Sequence, residues 1–284
     1  MTPARWNAPG PDTSAEHGVV PVAGTELHYS VAGSGPPLAF VHAGITDSRL
    51  WNHQVAAFAD DYRVITYDLR GYGRSALPPE PYAHHEDLLS LFDTLEVDRA
   101  HVVGASMGAA TAVDFALENP GRVRSLTLIG PAIGGYDYDD PDTMAGWSAA
   151  TEAFDSGDWD RAATIEADMW LAGVGRDLED IDPAVRDLVH EMLLRSYGLE
   201  DDRATERELD PPAVARLEEL AVPVFLVHGE HERADIVDVA HLIENSLDDV
   251  TTEVLADTAH LPSLERPEAF TAILESFLTN ITGK

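Results

Sequence analysis

Residues 100 to 108 read Ala-His-Val-Val-Gly-Ala-Ser-Met-Gly, and a helix-compatible run from Ala109 to Glu118 follows them. The apolar residues before Gly104 favour a buried strand, so the pattern predicts a strand, a sharp turn and a helix. A serine on such a turn has strained backbone geometry and an exposed Oγ, and flanking glycines let the chain pass close to itself. Ser106 is therefore the candidate nucleophile, with an ordinary glycine-rich turn as the alternative at this point.

The chain on either side alternates apolar runs typical of strands with helix-compatible segments. Such alternation predicts a mainly parallel sheet covered by helices on both faces. The segment 25–32 alternates polar and apolar residues, as the strand of an edge hairpin does. We expect strands at 37–41, 64–67, 123–129, 222–228 and 250–255, and helices at 50–58, 85–95, 109–118 and 267–278.

The alternation of strands and helices stops after residue 133. From 134 to about 220 we expect helices alone, over 145–154, 160–172 and 183–197, and residues 137–210 hold 22 of the 51 acidic residues. We therefore divide the chain into a loose N-terminal tail (1–17), an α/β core (18–133 and 221–284) and a helical cap insertion (134–220). Most aromatic side chains of the insertion are expected to anchor its helices; they include Tyr136, Tyr138, Trp147, Phe154, Trp159 and Trp170.

The overall charge is strongly negative. The chain has 51 Asp and Glu against 18 Lys and Arg, a formal net charge of −33, and its only lysine is Lys284. Such a field repels phosphates, which argues against nucleic acid and anionic membranes as partners. Two explanations stay open: a GC-rich genome that replaces lysine by arginine, or adaptation to a high-salt cytoplasm, where screening removes the self-repulsion.

Composition also limits the chemistry and the location. The absence of cysteine excludes disulfides, thiolate metal sites and a cysteine nucleophile. The N-terminal residues form neither a basic segment nor an apolar run of signal-peptide length, and no stretch approaches about 20 apolar residues. We expect a soluble cytoplasmic protein, of an oligomeric state that the sequence leaves open.

A catalytic serine needs a histidine base, and the histidine needs a carboxylate that fixes its tautomer. The loop after the expected strand 222–228 carries Glu232, and the loop after the last expected strand carries His260. Catalytic groups in open α/β sheets collect at the carboxyl ends of the strands. The chain thus offers Ser106, Glu232 and His260 in the order serine, acid, histidine that one hydrolase fold uses.

Four separate segments resemble motifs of the α/β-hydrolase superfamily. They are the oxyanion loop (His42-Ala43-Gly44), the turn after the fourth strand (68–75), the nucleophile elbow (104–108) and the histidine loop (259–267). The resemblance covers nearly the whole chain from about Val19 onward. The stretch from Val41 to Trp51 and the Ser-Met-Gly of the elbow are similar to those of small esterases, enol-lactonases and cofactor-free perhydrolases. It implies the α/β-hydrolase fold: a mainly parallel eight-stranded sheet, flanking helices and an inserted helical cap.

The same resemblance implies the remaining site residues. The backbone N–H groups of Gly44 and Met107 would form the oxyanion hole. Glu232 stands where aspartate is customary, a role that glutamate also serves, and Asp235 is the fallback acid. Two departures from the pattern, Ala43 and Ala259 in place of glycine, are small changes in volume.

The function implied is that of a cofactor-independent serine hydrolase that cleaves a small carboxylic ester, thioester or lactone. We expect no cofactor and no metal, because the histidine pairs His84-His85 and His228/His231 are not part of a His-Glu-x-x-His motif. The alternatives are a hydrolase of carbon–carbon bonds and a small-molecule receptor built on the same fold.

Overall fold

One sheet of eight strands forms the centre of the structure, a computed structural model that describes residues 15–199 and 204–283. The strands are β1 (Glu16–Val22), β2 (Thr25–Ala32), β3 (Pro37–Val41), β4 (Arg63–Tyr67), β5 (Ala100–Ala105), β6 (Val123–Ile129), β7 (Val224–Gly229) and β8 (Val250–Leu255). Their order across the sheet is β1-β2-β4-β3-β5-β6-β7-β8. The pairs β1/β2 and β2/β4 are antiparallel, and all other neighbours are parallel. The expected α/β-hydrolase fold with a mainly parallel eight-stranded sheet is confirmed.

The α-helices lie on both faces of this sheet. They are α1 (Asn52–Phe58), α2 (His84–Thr94), α3 (Met107–Glu118), α4 (Pro141–Asp155), α5 (Trp159–Ala167), α6 (Pro183–Tyr197), α7 (Ala234–Ser246), α8 (Pro262–Glu265) and α9 (Pro267–Thr282). Apolar residues of α1 and α9 pack on one face, and those of α2, α3 and α7 on the other. Because both faces are covered, the central strand β5 is buried at all six residues, which is why its sequence is small and apolar except at His101.

Several element boundaries differ from the sequence predictions. Helix α3 begins at Met107, two residues before the predicted start, and a 3-10 turn (Ser48–Trp51) precedes α1. Helix α7 was not predicted, although the spacing of Ile236, Val239 and Ile243 places these apolar residues on one helical face.

The predicted N-terminal tail, 1–17, lies mostly outside the described residues. Its last two residues belong to the sheet instead: Glu16 pairs with Val31 and His17 with Ser30 in the β1/β2 hairpin. The tail boundary at residue 17 is therefore wrong by two residues, because pairing with β2 extends the edge strand.

The segment 134–220, which the sequence predicts as a helical insertion, lies between β6 and β7. Helices α4, α5 and α6 lie in it, and the expected helix over 160–172 is split. Helix α5 ends at Ala167, and a π-helical turn, Asp168–Ala172, continues the chain. Within the described part of the insertion no strand forms; a single bridge joins Glu206 to Tyr82 of the core.

None of the helices in the described ranges combines the length and the apolar character that a bilayer crossing requires.

Candidate active site

Ser106 lies on the turn between β5 and α3 in a strained backbone conformation. Its φ is 52° and its ψ is −116°, a combination that L-residues rarely adopt. The Ser106 N–H donates to the Ile129 carbonyl of β6 at 2.8 Å, which ties the turn to the neighbouring strand. The side chain is only partly buried. The predicted strand–turn–helix around Ser106 is thus present, and the turn presents Oγ at the carboxyl edge of the sheet.

Two glycines make this turn sterically possible. A Cβ built on Gly104 would lie 2.2 Å from the Gly108 carbonyl oxygen, and one on Gly108 would lie 2.3 Å from the Val41 carbonyl oxygen. Both obstacles are backbone atoms, which have no side-chain freedom to move aside. Residues 104 and 108 must therefore be glycine for α3 to pack this closely against β3 and β5.

His260 and Glu232 form a buried pair at the ends of β8 and β7. His260 Nδ1 lies 2.8 Å from Glu232 Oε2, and the side chains are 2% and 1% exposed. Glu232 Oε1 accepts a hydrogen bond from the Arg233 N–H at 3.0 Å. With Nδ1–H donating to the carboxylate, Nε2 is the ring nitrogen left with a lone pair. This arrangement suits a histidine that takes up a proton at Nε2.

Gly130, a residue that the sequence analysis did not single out, leaves the space for this pair. It follows β6 directly, has a φ of 47°, and a Cβ there would lie 2.8 Å from His260 Nδ1 and 2.9 Å from Glu232 Oε2. The one usable signal at position 130 is a glycine immediately after a buried strand, where backbone or side chains approach closely.

The fallback acid Asp235 lies elsewhere. It is 3% exposed in the first turn of α7, and its two carboxylate oxygens accept from the Asp140 N–H at 3.2 and 3.1 Å. Its contact is thus with the residue that caps the start of α4. The structure brings Glu232 to His260 and uses Asp235 to attach the helical insertion.

Gly44 and Met107 lie side by side at the carboxyl edge of the sheet. A Cβ on Gly44 would be 3.7 Å from Met107 Sδ and 3.8 Å from Met107 Cβ, so the loop after β3 contacts the start of α3. Among the described residues neither backbone N–H has a protein acceptor. Two free donors next to Ser106 are what the stabilisation of a developing oxyanion requires.

His42 shapes this loop from inside. Its Nδ1 lies 2.8 Å from the Ala43 carbonyl and its Nε2 accepts from the Leu69 N–H at 2.9 Å, so both ring nitrogens are engaged. Burial lowers the pKa of His42, which keeps the ring neutral. His42 therefore holds the oxyanion loop against the turn after β4.

The structure shows no hydrogen bond between the described residues Ser106 and His260. In the described part of the chain, Ser106 Oγ makes no hydrogen bond, so it is not bonded to His260 Nε2 either. Catalytic hydrogen bonds are often long without substrate and shorten in the complex.

Trp170 is the second site neighbour that sequence reasoning did not distinguish. Its ring centroid lies 4.6 Å from that of His260, and its carbonyl accepts from the His260 N–H at 3.2 Å. The residue is 7% exposed and belongs to the π-helical turn of the insertion. In the sequence it is one of seven aromatic residues of the insertion, and nothing in the local pattern sets it apart.

Within residues 15–199 and 204–283, one group of side chains could hold a metal ion. Glu230, His231 and Asp257 each place a ligand atom within 4.8 Å of the others, at the surface beside the two catalytic loops. Asp257 also pairs with Arg266 at 3.2 Å. His228 instead lies close to its neighbour's carbonyl, with Nδ1 3.0 Å from the Gly229 oxygen. The expectation that no metal takes part stays a prediction.

The fold and the arrangement at the sheet's carboxyl edge define the class of protein. A family model described as alpha/beta hydrolase fold matches residues 36–267, and the chain belongs to that family.

The relatives of known name include enol-lactonases and carboxylesterases, together with epoxide hydrolases and hydrolases of 2-hydroxy-6-oxo acids. The chain is 27% identical over 266 residues to 3-oxoadipate enol-lactonase 1 of Acinetobacter baylyi, which covers 91% of this chain and 95% of the relative. It is 27% identical to carboxylesterase YbfK of Bacillus subtilis, with 89% and 84% covered. The solved enol-lactonase of Burkholderia xenovorans superposes with a TM-score of 0.76 at 26% identity, over 92% of this chain and all 100% of that one. These similarities support a hydrolase of the esterase or lactonase type.

Proposed function

We propose that the protein is a cofactor-independent serine hydrolase of small carboxylic esters, thioesters or lactones, with Ser106, His260 and Glu232 as its catalytic triad. The observation that carries the proposal is the buried His260–Glu232 pair, 2.8 Å apart, at the same sheet edge as a serine on a strained turn. A solvent-exposed ion pair of this type would have little energetic value, whereas a buried one fixes the orientation of the ring.

Acylation begins with proton transfer from Ser106 Oγ to His260 Nε2 while Oγ bonds to the substrate carbonyl carbon. Glu232 accepts a hydrogen bond from His260 Nδ1–H and stabilises the imidazolium that forms. The carbonyl oxygen, now negative, lies against the N–H groups of Gly44 and Met107. When the tetrahedral adduct collapses, the alcohol or thiol leaves with the proton from His260; in a lactone it stays attached to the acyl group.

Deacylation repeats these steps with water. His260 Nε2 removes a proton from the water molecule as its oxygen attacks the acyl carbon, and the proton then returns to Ser106 Oγ as the acid leaves. The protein supplies every group in this cycle, so the proposal needs no cofactor and no metal.

The helical insertion, residues 134–220, is proposed as the cap over the core formed by 18–133 and 221–284. Its π-helical turn reaches His260 through Trp170. The partner in this proposal is a small molecule, in keeping with the enol-lactonase and carboxylesterase names of the relatives.

Turnover of short-chain nitrophenyl esters in molar potassium chloride tests the proposal. Ser106→Ala should lower kcat by about 10⁴-fold or more, because the nucleophile is lost. Ser90→Ala is the control, since Ser90 Oγ only donates to a helix carbonyl, that of Glu86. A fluorophosphonate should label the wild type and not Ser106→Ala.

Three other outcomes would overturn the proposal. Unchanged turnover in Ser106→Ala would remove the serine from the mechanism. A single slow modification of Ser106 without turnover would favour a receptor. Cleavage of a diketone-like substrate, with esters and lactones untouched, would favour a carbon–carbon hydrolase.

A further inference from the structure

The side chain of Arg176 joins the helical insertion to the histidine loop. On the insertion side, Nε donates to the Ala172 carbonyl at 2.8 Å and Nη2 to the Leu171 carbonyl at 2.9 Å. On the other side, Nη1 donates to the Asp257 carbonyl at 2.9 Å and Nη2 to Glu265 at 2.8 Å. The guanidinium is 13% exposed, so water offers little replacement for these four bonds.

Glu265 extends this connection to the residue before His260. Its Oε2 accepts from Arg176, and its Oε1 accepts from the Ala259 N–H at 2.8 Å. The carboxylate is 5% exposed. Burial raises the pKa of Glu265, and Arg176 together with the Ala259 N–H opposes that rise. Two hydrogen bonds therefore separate the Arg176 guanidinium from the backbone that carries His260.

The same part of the insertion also contacts the acid loop. The Val174 N–H donates to the His231 carbonyl at 2.8 Å, and His231 Nδ1 lies 2.9 Å from the Val174 carbonyl. Gly173, with a φ of 73°, lies so close to the loop that a Cβ there would be 2.3 Å from the His231 carbonyl oxygen. His231 directly precedes Glu232. Residues 168–176 thus contact both loops that hold the His260–Glu232 pair.

We propose that Arg176 and Glu265 are positioning residues for His260, which couple the placement of the helical insertion to the geometry of the triad. Neither side chain touches Ser106, so they act through the histidine loop. Removal of Arg176 breaks its hydrogen bonds between the insertion and this loop and leaves a buried carboxylate without its cation. Lysine does not substitute fully, because its ammonium cannot reproduce the planar fork that reaches carbonyls on both sides.

The proposal rests on the proposed hydrolase activity and predicts a specific kinetic change. Arg176→Gln should lower kcat by about 10- to 100-fold, the cost of a misplaced catalytic group, while KM changes little. The kcat of Arg176→Lys should lie between that of the wild type and that of Arg176→Gln. Guanidinium ion added to Arg176→Ala should restore part of the lost kcat. Arg216→Gln is the matched control, because Arg216 is 16% exposed and pairs with Glu118 and Glu219 away from the site.

A structural role without positioning would give a different result. Arg176→Gln would then melt at a lower temperature, yet its kcat measured below the melting transition would equal that of Arg216→Gln, and guanidinium would restore nothing. If Arg176→Gln does not fold, two other variants replace it: the single variant Arg176→Lys and the double variant Arg176→Gln/Glu265→Gln. The double variant removes both the cation and the carboxylate, so neither charge is left buried without its partner.

An NMR measurement separates this proposal from the proposed activity. If the wild type has no esterase or lactonase turnover, the proposed function fails, but the imidazole signals of His260 still report its surroundings. A shift of these signals in Arg176→Gln and not in Arg216→Gln supports positioning. Signals unchanged in both variants overturn it.

Discussion

The two sides of the candidate site are held in different ways. Ser106 is fixed by residues close to it in the chain and by the sheet: a strand, a glycine-bounded turn and a helix within 104–118, plus one bond to β6. His260 is fixed by Glu232 and, through Glu265 of its own loop, by Arg176; Glu232 and Arg176 are far from it in the sequence. The serine side is thus encoded locally, whereas the histidine side exists only when the core and the insertion are folded together.

The largest expected effect comes from the carboxylate at the histidine. Glu232→Gln should lower kcat by about 10³- to 10⁴-fold, because the amide cannot stabilise the imidazolium or fix the same tautomer. Asp235→Asn should leave kcat near the wild-type value, since the asparagine oxygen still accepts from the Asp140 N–H. Steady-state kinetics on one ester compare the two variants. An inactive Asp235→Asn beside a fully active Glu232→Gln would contradict the assignment of the acid.

The next effect tests how tightly the histidine pair is packed. Gly130→Ala should lower kcat by about 10-fold or more, because the new Cβ would push His260 and Glu232 apart or off the serine. Its positive φ adds strain, so the melting temperature should also fall. Gly121→Ala, with no atom within 4 Å of the new Cβ, is the control and should change neither quantity. Equal kcat in the two variants would show that the pair is not confined at this point.

Salt should affect the insertion more than the sheet. Residues 137–210 hold 22 of the 51 acidic residues, and molar potassium chloride screens their mutual repulsion. We expect a higher melting temperature in molar salt than in dilute buffer, with amide hydrogen exchange slowed more in α4–α6 than in β5 and β6. A melting temperature that does not depend on salt would argue against salt adaptation and leave genome composition as the explanation.

The smallest effect concerns α3, the helix that begins beside Ser106. Burial, with Glu206 and Glu118 nearby, raises the pKa of Asp114 to about 7. The folded state therefore keeps a proton that the unfolded chain, with an aspartate pKa of about 3.9, releases at lower pH. Stability falls as the pH rises through this interval. Asp114→Asn should raise the melting temperature at pH 8 and change it little at pH 4, and kcat should stay the same at either pH.

An equal shift of the melting temperature at both pH values would contradict this titration. Asp114 Oδ1 has no partner among the described residues, so the variant removes no hydrogen bond from that oxygen.

Much of the fold was readable because its signals are local. The strands 123–129 and 250–255 and the helix 183–197 match their predicted limits, since apolar runs and proline at the helix start mark these ends. Helix α7 was missed because its first turn follows directly on the acid loop, and Asp235 was considered as a catalytic group. The split at Ala167 was missed as well, because a π-helical turn depends on packing rather than on propensity.

By itself, the sequence determined the class of fold, the position of Ser106 on its turn, and the identity of His260 as the candidate base. These follow from periodicity, glycine sterics and the order of motifs, which act over short stretches of chain. Tertiary structure alone placed Glu232 rather than Asp235 against His260, and it alone brought Gly130, Trp170 and Arg176 to the histidine. Their roles depend on distances between elements far apart in the chain, and no local pattern records such distances.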